Sequence, residues 1–580
     1  MTSFVRHRPV TVLTPFFLFA IALLLLTKGN PAHAQTTGQT PTSSPLLIGV
    51  VHDAQGQAVG RVDVRLLDGS GEDVLAEART QPDGRYAIDV PDSLPDGDSL
   101  TLALERAHFD PLTVTLDAGT VSQLEAGESV VLAPQTMVRR VNLAFWIATV
   151  VFGGMLVVVA ISDLHNTLVA LLGAAIIFAV SYLGAPLAEE LFIFDFDTAI
   201  TYVDWNVIFL VLGMMIVIAV IEETGLFQWL AFAAFRLSRG RAWLLLAVLM
   251  LVAGVASAFL DNVTTMLLMT PISVQIALAM NLNPLTLLIP EVMTSNVIGV
   301  STLVGTPTNI LIGSFANISF NDFLRNLTPG VLLAYVGLVA YSLFIYRRDL
   351  RTSAEMSPQL LERLAERAQI KEPEDLKKAG WIGLAMLLLF VFGERIHLLP
   401  AVTALMGATA LLVWIRPDVE KMIEAVDWTT LVFFIALFIV VGAIQEVGLI
   451  SMIAVLIGNV VGQSLILTML AVIWVGALLS GVVANIPFTA AMLPVIAYLS
   501  GIVPGAHSKV LFYSLSVGSA MGGNGTLIGA SANLVTAGIA ERAGYPITYV
   551  NFLKRGLPAV VITVGLATIW LMIRFLLLGG

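Results

Sequence analysis

The chain has 580 residues, 57% hydrophobic and only 12% charged, with a net charge of −11 and no cysteine. This composition excludes a wholly soluble protein, and the missing thiols exclude disulfides, thiolate metal sites, iron–sulfur clusters and cysteine nucleophiles. Lys and Arg are scattered among loops instead of gathered on one face, so nothing points to a nucleic-acid partner.

Residues 1–34 read as a secretory signal peptide. Arg6 and Arg8 form a basic start, an apolar run continues to Leu26, and Ala32-His33-Ala34 offers a cleavage site. An uncleaved first membrane helix is the alternative, and either one exports the segment C-terminal to it. A Thr/Ser/Pro/Gly linker covers residues 35–45. Over residues 46–135, short alternating runs (LLIGVVHD, VDVRLL, RYAIDV, LTLALERA, LTVTLD) are separated by turn signals. They predict a small extracytoplasmic all-β sandwich of roughly seven strands. The stretches GVVHDAQGQAVGRVDVRLL and RTQPDGRYAIDV resemble the carboxypeptidase regulatory-like β-sandwich family. His52 and His108 read as surface or strand-end residues, and the domain as an accessory or partner-binding module.

From residue 141 the chain turns apolar, and bilayer-length runs predict a polytopic α-helical membrane protein. In the first repeat (141–346), crossings are expected near 142–161, 168–188 and 205–221, then an amphipathic stretch at 222–240. Two arms, 242–258 and 264–280, flank Asp261-Asn262. Next come a broken crossing at 285–315 and an unbroken one at 329–346. A charged cytoplasmic loop, 347–378, contains the helix-like LLERLAERAQ. The second repeat (379–580) copies the plan: crossings near 380–396, 400–415 and 429–444, arms around Asn485, a broken crossing at 510–538 and a last one at 557–577.

The copy keeps register. Asn262 and Asn485 are 223 positions apart (485 − 262), as are Asp204 and Asp427 (427 − 204). If the arms are re-entrant hairpins, each half has an odd number of crossings and the halves are inverted. With the β-domain outside, the inner loops then carry Arg236, Arg239, Arg241, Arg347, Arg348, Lys377, Lys378, Arg416, Lys421, Lys554 and Arg555, and the outer ones the acidic EELFIFDFD. That is the positive-inside bias, with few bases in the outer loops; Arg139 and Arg140, just outside the first span, run against it.

Unsatisfied polar groups are expensive in lipid, so paired polar breaks in corresponding segments point to a transporter's binding site. Asp261, Asn262, Thr264, Thr265, Thr306, Thr308 and Asn309 form one expected half-site. Asn485, Thr489, Asn524, Thr526, Ser531 and Asn533 form the other. Half-helix N-termini suit anions and C-terminal carbonyls suit Na⁺, so Na⁺ at the hairpin tips is the one metal reading; no cofactor is expected. Asp261 faces Ala484 in the copy, and Glu291 is a second intramembrane acid; both are candidates for proton coupling. Glu223 and Glu446 also correspond, where capping or interface placement is expected.

The stretches EETGLFQWLAFAAFRLSRGRAW, SAFLDNVTTMLLMTPI, ANIPFTAAMLPVI and GNGTLIGASANLVTAGIAERAGYP resemble the ion transporter superfamily. The resemblance is to its branch of arsenite permeases, NhaD-type antiporters and citrate-transporter-like permeases, and within that to the P protein family. It implies inverted repeats with paired hairpins, elevator movement and homodimers in the cell membrane. Relatives often carry an acid in the Gly305-Thr306-Pro307-Thr308-Asn309 loop, and its absence here leaves room for a neutral, anion-accepting site. The expected function is secondary active transport of a small inorganic or organic anion coupled to Na⁺ or H⁺. The alternatives are a Na⁺/H⁺ antiporter using Asp261 and a channel-like anion pathway. No nucleophile–base set, metal motif or P-loop suggests an enzyme.

Overall fold

The computed structural model describes residues 45–351 and 370–579, apart from 69–70, 72, 92–99, 163 and 463. The signal peptide, residues 35–44 of the linker and LLERLAERAQ lie outside the described residues. Two compact units result: residues up to Arg106 with Pro111–Met137, and Ala107–Asp110 with Val138 onward.

The first unit is two four-stranded sheets. β1 (Leu46–Asp53), β2 (Asp63–Leu67), β3 (Val74–Arg79), β4 (Arg85–Asp89), β5 (Thr101–Glu105), β6 (Leu112–Thr115), β7 (Val130–Val131) and β8 (Gln135–Met137) run in chain order, with one helix, α1 (Ala118–Glu125), after β6. β4 pairs antiparallel with β1, which β7 and β8 join in parallel; the other sheet runs β3-β2-β5-β6. Alternation drives the packing, since every second side chain points inward: Leu47, Val51, Val64, Leu66, Ile88, Leu102 and Leu104 are buried. The described strands number eight where about seven were expected. β3 (VLAEAR) buries no residue fully, and β7 and β8 span only two and three residues, so neither pattern nor length announced them.

The second unit is helical. Its first half contains α2 (Leu143–Ile161), α3 (Asn166–Ala179), α4 (Phe196–Thr201), α5 (Trp205–Glu223), α6 (Leu226–Ser238), α7 (Ala242–Phe259), α8 (Asn262–Ala279), α9 (Leu285–Gly299), α10 (Pro307–Ala316) and α11 (Phe320–Ile345). The second half repeats them as α12 (Pro373–Phe392), α13 (Pro400–Ile415), α14 (Val419–Glu424), α15 (Trp428–Glu446), α16 (Leu449–Val461), α17 (Leu465–Ser480), α18 (Asn485–Ile502), α19 (Val510–Gly522), α20 (Ser531–Arg542) and α21 (Tyr549–Met572). Among the described residues, nine helices are long and apolar enough to cross a membrane.

Local signals set the ends. Asp204 caps α5 by accepting the N–H groups of Asn206 and Val207, and Asp427 caps α15 by accepting that of Thr430. Burial pushes the Asp427 carboxyl up, but hydrogen bonds from Thr429 and Thr430 outweigh it and hold it below the ordinary aspartate range. The crossing expected from 329 starts earlier, at Phe320, because Ser319 and Asp322 close a capping box. The one expected from 380 starts at Pro373, a residue suited to a first helical turn.

Packing is reciprocal between the halves. α3 lies on α15 while α13 lies on α5, and α20 lies on α8 while α10 lies on α18. Within each half the first hairpin arm packs on the broken helix: α7 on α9, α17 on α19. The α17–α19 crossing brings backbones together, since a Cβ on Gly522 would sit 2.5 Å from the Ala477 Cα and carbonyl oxygen. Gly522→Val is therefore expected to destabilise the protein by about 1–3 kcal/mol through overpacking, read as a lower melting temperature in detergent.

Candidate functional site

The hairpin tips and breaks are stitched together by buried amides and hydroxyls. In the first tip Asp261 caps α8: one oxygen accepts the N–H of Val263 at 2.8 Å and of Thr264 at 2.9 Å, the other the Thr264 hydroxyl. The Asn262 amide donates to Asn296 Oδ1 at 2.6 Å. Asn296 in turn donates across to the second half, to Asn524 Oδ1 at 2.8 Å and Asn533 Oδ1 at 3.0 Å, and Asn524 Nδ2 returns a bond to the Met293 carbonyl at 2.9 Å.

Each break is closed by the same device. Asn309 Nδ2 donates to the carbonyls of Val300 (2.9 Å) and Thr302 (2.7 Å); Asn533 Nδ2 donates to those of Gly523 (3.0 Å) and Thr526 (2.9 Å). These carbonyls have lost intrahelical partners, and the amide supplies the donors that water cannot. Asn309 Oδ1 accepts from Ser516, a second link between the halves, at 2.6 Å. Thr302 donates to the Ala258 carbonyl and Thr526 to that of Gly481, clasping each break to its hairpin. Ser257 and Ser480 bond the carbonyls of Ser295 and Ser519 in the same way.

Of the residues expected from sequence, Asn262, Asn524 and Asn533 thus meet through Asn296, while Thr306, Thr308 and Asn309 share the first break. Thr306 caps α10 through the Asn309 N–H at 3.2 Å and lies 3.0 Å from the Thr308 hydroxyl. Thr489 back-bonds to its own helix at the Asn485 carbonyl. Thr265 is fully buried with its hydroxyl unpartnered. Asn485 is buried as a residue and Ser531 half-buried, at the first positions of α18 and α20. Glu291 is also fully buried; one oxygen accepts from Ser273 at 2.8 Å, the other has no partner, and no ion pair involves it among the described residues.

Glu223 pairs with Lys421, while Glu446 is buried and takes the Tyr202 hydroxyl, so both act at helix ends. His108, expected at the surface or a strand end, is buried, with Nε2 at 2.8 Å from the Ile193 carbonyl. Sequence reasoning missed Asn296, Thr302, Ser257, Ser295, Ser480, Ser516 and Ser519. For Ser257/Ser480, Ser295/Ser519 and Thr302/Thr526 the signal was present: they recur at an offset of 223 or 224 (480 − 257, 519 − 295, 526 − 302).

The donors and acceptors here are neutral oxygens, amides and helix ends. Among the described residues no three His, Cys, Asp or Glu side chains gather into a metal-binding group. Such donors and acceptors are the chemistry that suits a small ion.

Apolar helices interrupted by buried polar breaks define a polytopic membrane transporter. Residues 143–518 match the citrate transporter family model, and the chain belongs to that family. It is 36% identical over 433 residues to an uncharacterized transporter of Mycobacterium bovis, covering 74% of this chain and 99% of that one. It is 31% identical over 546 residues to the P protein of Homo sapiens, covering 80% of this chain and 64% of that protein. Among solved structures, Neisseria gonorrhoeae MtrF, reported to illuminate a class of antimetabolite efflux pumps, shares the fold at TM-score 0.50 and 11% identity, over 75% of this chain and 96% of that one.

Proposed function

We propose that this chain is a secondary active transporter of a small anion, coupled to Na⁺ or H⁺, in which two inverted repeats alternate access by an elevator movement. The duplicated, cross-linked break network carries the reading: Asn309 and Asn533 close corresponding breaks, and Asn296 joins the halves. Reciprocal packing of α3 on α15 and α13 on α5 supports the inverted relation. The family's description as citrate transporters supports an anionic cargo, with carboxylates as its class. The residues of the two hairpin tips and breaks form its half-sites, in a multi-pass membrane homodimer with the β-domain outside.

A flux screen in proteoliposomes tests this. Carboxylates and inorganic anions are offered under imposed Na⁺ and H⁺ gradients, and uptake of one of them against its own gradient is expected. Flux that tracks voltage with no need of a coupling gradient would make the protein a channel, and no uptake of any anion would end the proposal.

A second reading, Na⁺/H⁺ antiport, is favoured by one observation: both intramembrane acids of the site, Asp261 and Glu291, lie in the first half without an ion pair among the described residues. On that reading Asp261→Asn loses all ΔpH-driven Na⁺ flux; normal exchange by the variant would remove it.

A further inference from the structure

Two basic pairs far apart in sequence, Arg347-Arg348 and Lys554-Arg555, are brought together by the fold. α11 packs along α21, and near its end the Tyr341 hydroxyl donates to the Arg555 carbonyl at 2.9 Å. The Arg555 guanidinium carbon lies 5.4 Å from the centre of the Tyr346 ring, and that of Arg347 lies 4.5 Å from the Phe344 ring. Arg351 closes the turn that follows. Across residues 341–351 and 549–555, Asp349 is the one carboxylate, and the Thr286 hydroxyl donates to it at 3.4 Å. Five cations thus gather around one acid, and none of the five forms an ion pair among the described residues.

Two polar atoms within this cluster have nothing to bond among the described residues. Tyr346 is 5% exposed, and its hydroxyl is buried without a partner. Arg555 is half-buried: Nη1 reaches the Asn551 carbonyl at 3.3 Å, while Nε is buried and unpartnered. A buried donor without an acceptor is costly, most of all a charged one. Both groups can donate, so one negatively charged oxygen would complete both.

The surroundings point to where that oxygen comes from. On α11 the exposed apolar side chains Leu333, Val336 and Phe344 recur at helical spacing and end at Arg347. On α21 the exposed Leu557 and Val561 stand three and seven residues after Lys554, on its face of the helix. Apolar helix faces that end in unpaired cations match a lipid, with acyl chains along the helices and the headgroup at their ends. We infer that these ends of α11 and α21 bind an anionic phospholipid, its phosphate oxygens accepting from Arg555 Nε and the Tyr346 hydroxyl, with Arg347, Arg348, Arg351 and Lys554 around it. On the orientation proposed above this is the inner leaflet, and the binding is independent of the cargo. The site also touches the first broken helix, because Asp349 takes the hydroxyl of Thr286 at the start of α9.

The test titrates the purified protein in detergent micelles with phosphatidylglycerol or phosphatidylcholine and reads the melting temperature. Phosphatidylglycerol is expected to raise it saturably, and phosphatidylcholine to leave it unchanged at the same mole fraction. Arg555→Gln is expected to raise the half-saturating phosphatidylglycerol fraction about tenfold, and Tyr346→Phe, which keeps the ring, about threefold. Should Arg555→Gln not fold, Arg348→Gln and Lys554→Gln leave the buried pair intact, and each is expected to weaken binding about fivefold. Arg555→Lys separates binding from topology, since it keeps the charge that orients the loop and loses the Nε donor. It is expected to weaken binding; wild-type affinity would make Arg555 a topology signal only and overturn the contact. An equal response to the two lipids overturns the inference, as does a phosphatidylglycerol response unchanged in all the variants. Inorganic phosphate that reproduces the full shift at millimolar concentration would make the ligand a free phosphate and overturn its lipid source.

Discussion

Replacing Asn296 by alanine is expected to abolish gradient-driven uptake and to cost about 2–4 kcal/mol of stability. Single hydrogen bonds between membrane helices are worth little, about 0.6 kcal/mol on average, because an alternative partner is usually at hand. Asn296 differs in the number of groups it serves and in how dry they are. Its removal strands the Asn262 amide and the Oδ1 atoms of Asn524 and Asn533 together, and all three residues are at least nine-tenths buried. It also severs the direct tie from the first tip to the second break, which the two halves must keep if they present one site. Asn296→Asp sharpens the test. It retains an acceptor for Asn262 but loses both donors, and sets a negative charge against two amide oxygens, so it is expected to be worse than alanine. Uptake assays paired with melting curves check this; an alanine variant that keeps half the wild-type uptake and its melting temperature would remove Asn296 from the site's framework.

How much of this was legible in the sequence depended on whether a residue has a copy. Asn262 with Asn485, Asn309 with Asn533, and Asp204 with Asp427 announced themselves by recurrence, and their helix ends fall in register. Asn296 has no copy, because Ala520 stands in its place. It sits in the apolar run EVMTSNVIG, and its acceptors Asn524 and Asn533 are more than two hundred residues away, so no local pattern marks it. The serines and Thr302 were hidden differently: a hydroxyl in a membrane helix ordinarily back-bonds to its own turn, as Thr489 does, and only packing shows Ser257 and Ser480 reaching a neighbouring helix instead. His108 looked like a strand-end residue because the chain on either side of it is strand, whereas its burial comes from contacts with Ile193, distant in sequence.

The second large effect is expected at Glu291. Glu291→Gln should lower ΔpH-driven anion uptake by about tenfold or more, while exchange of external for internal anion, which needs no net proton movement, stays within about twofold of the wild type. A fully buried carboxylate with one neutral donor, Ser273, and no ion pair among the described residues is far costlier ionised than protonated. On the H⁺-coupled reading proposed above, a group in that position takes its proton where the site is dry and gives it up where water reaches it. Asp261 is less suited, because three hydrogen bonds from Val263 and Thr264 already hold its ionised form at the helix start. Glutamine fills the same volume, still accepts from Ser273, and removes the charge, so its melting temperature should match or exceed that of the wild type. The second half shows that this turn of helix packs without an acid: in the register of the breaks, Leu515 stands where Glu291 does and is fully buried. Glu291→Leu should therefore fold as well and fail in the same assay. Full ΔpH-driven uptake by either variant would strip Glu291 of any part in coupling and hand that role to Na⁺ or to Asp261. Loss of exchange together with uptake would instead make Glu291 part of the anion's own path.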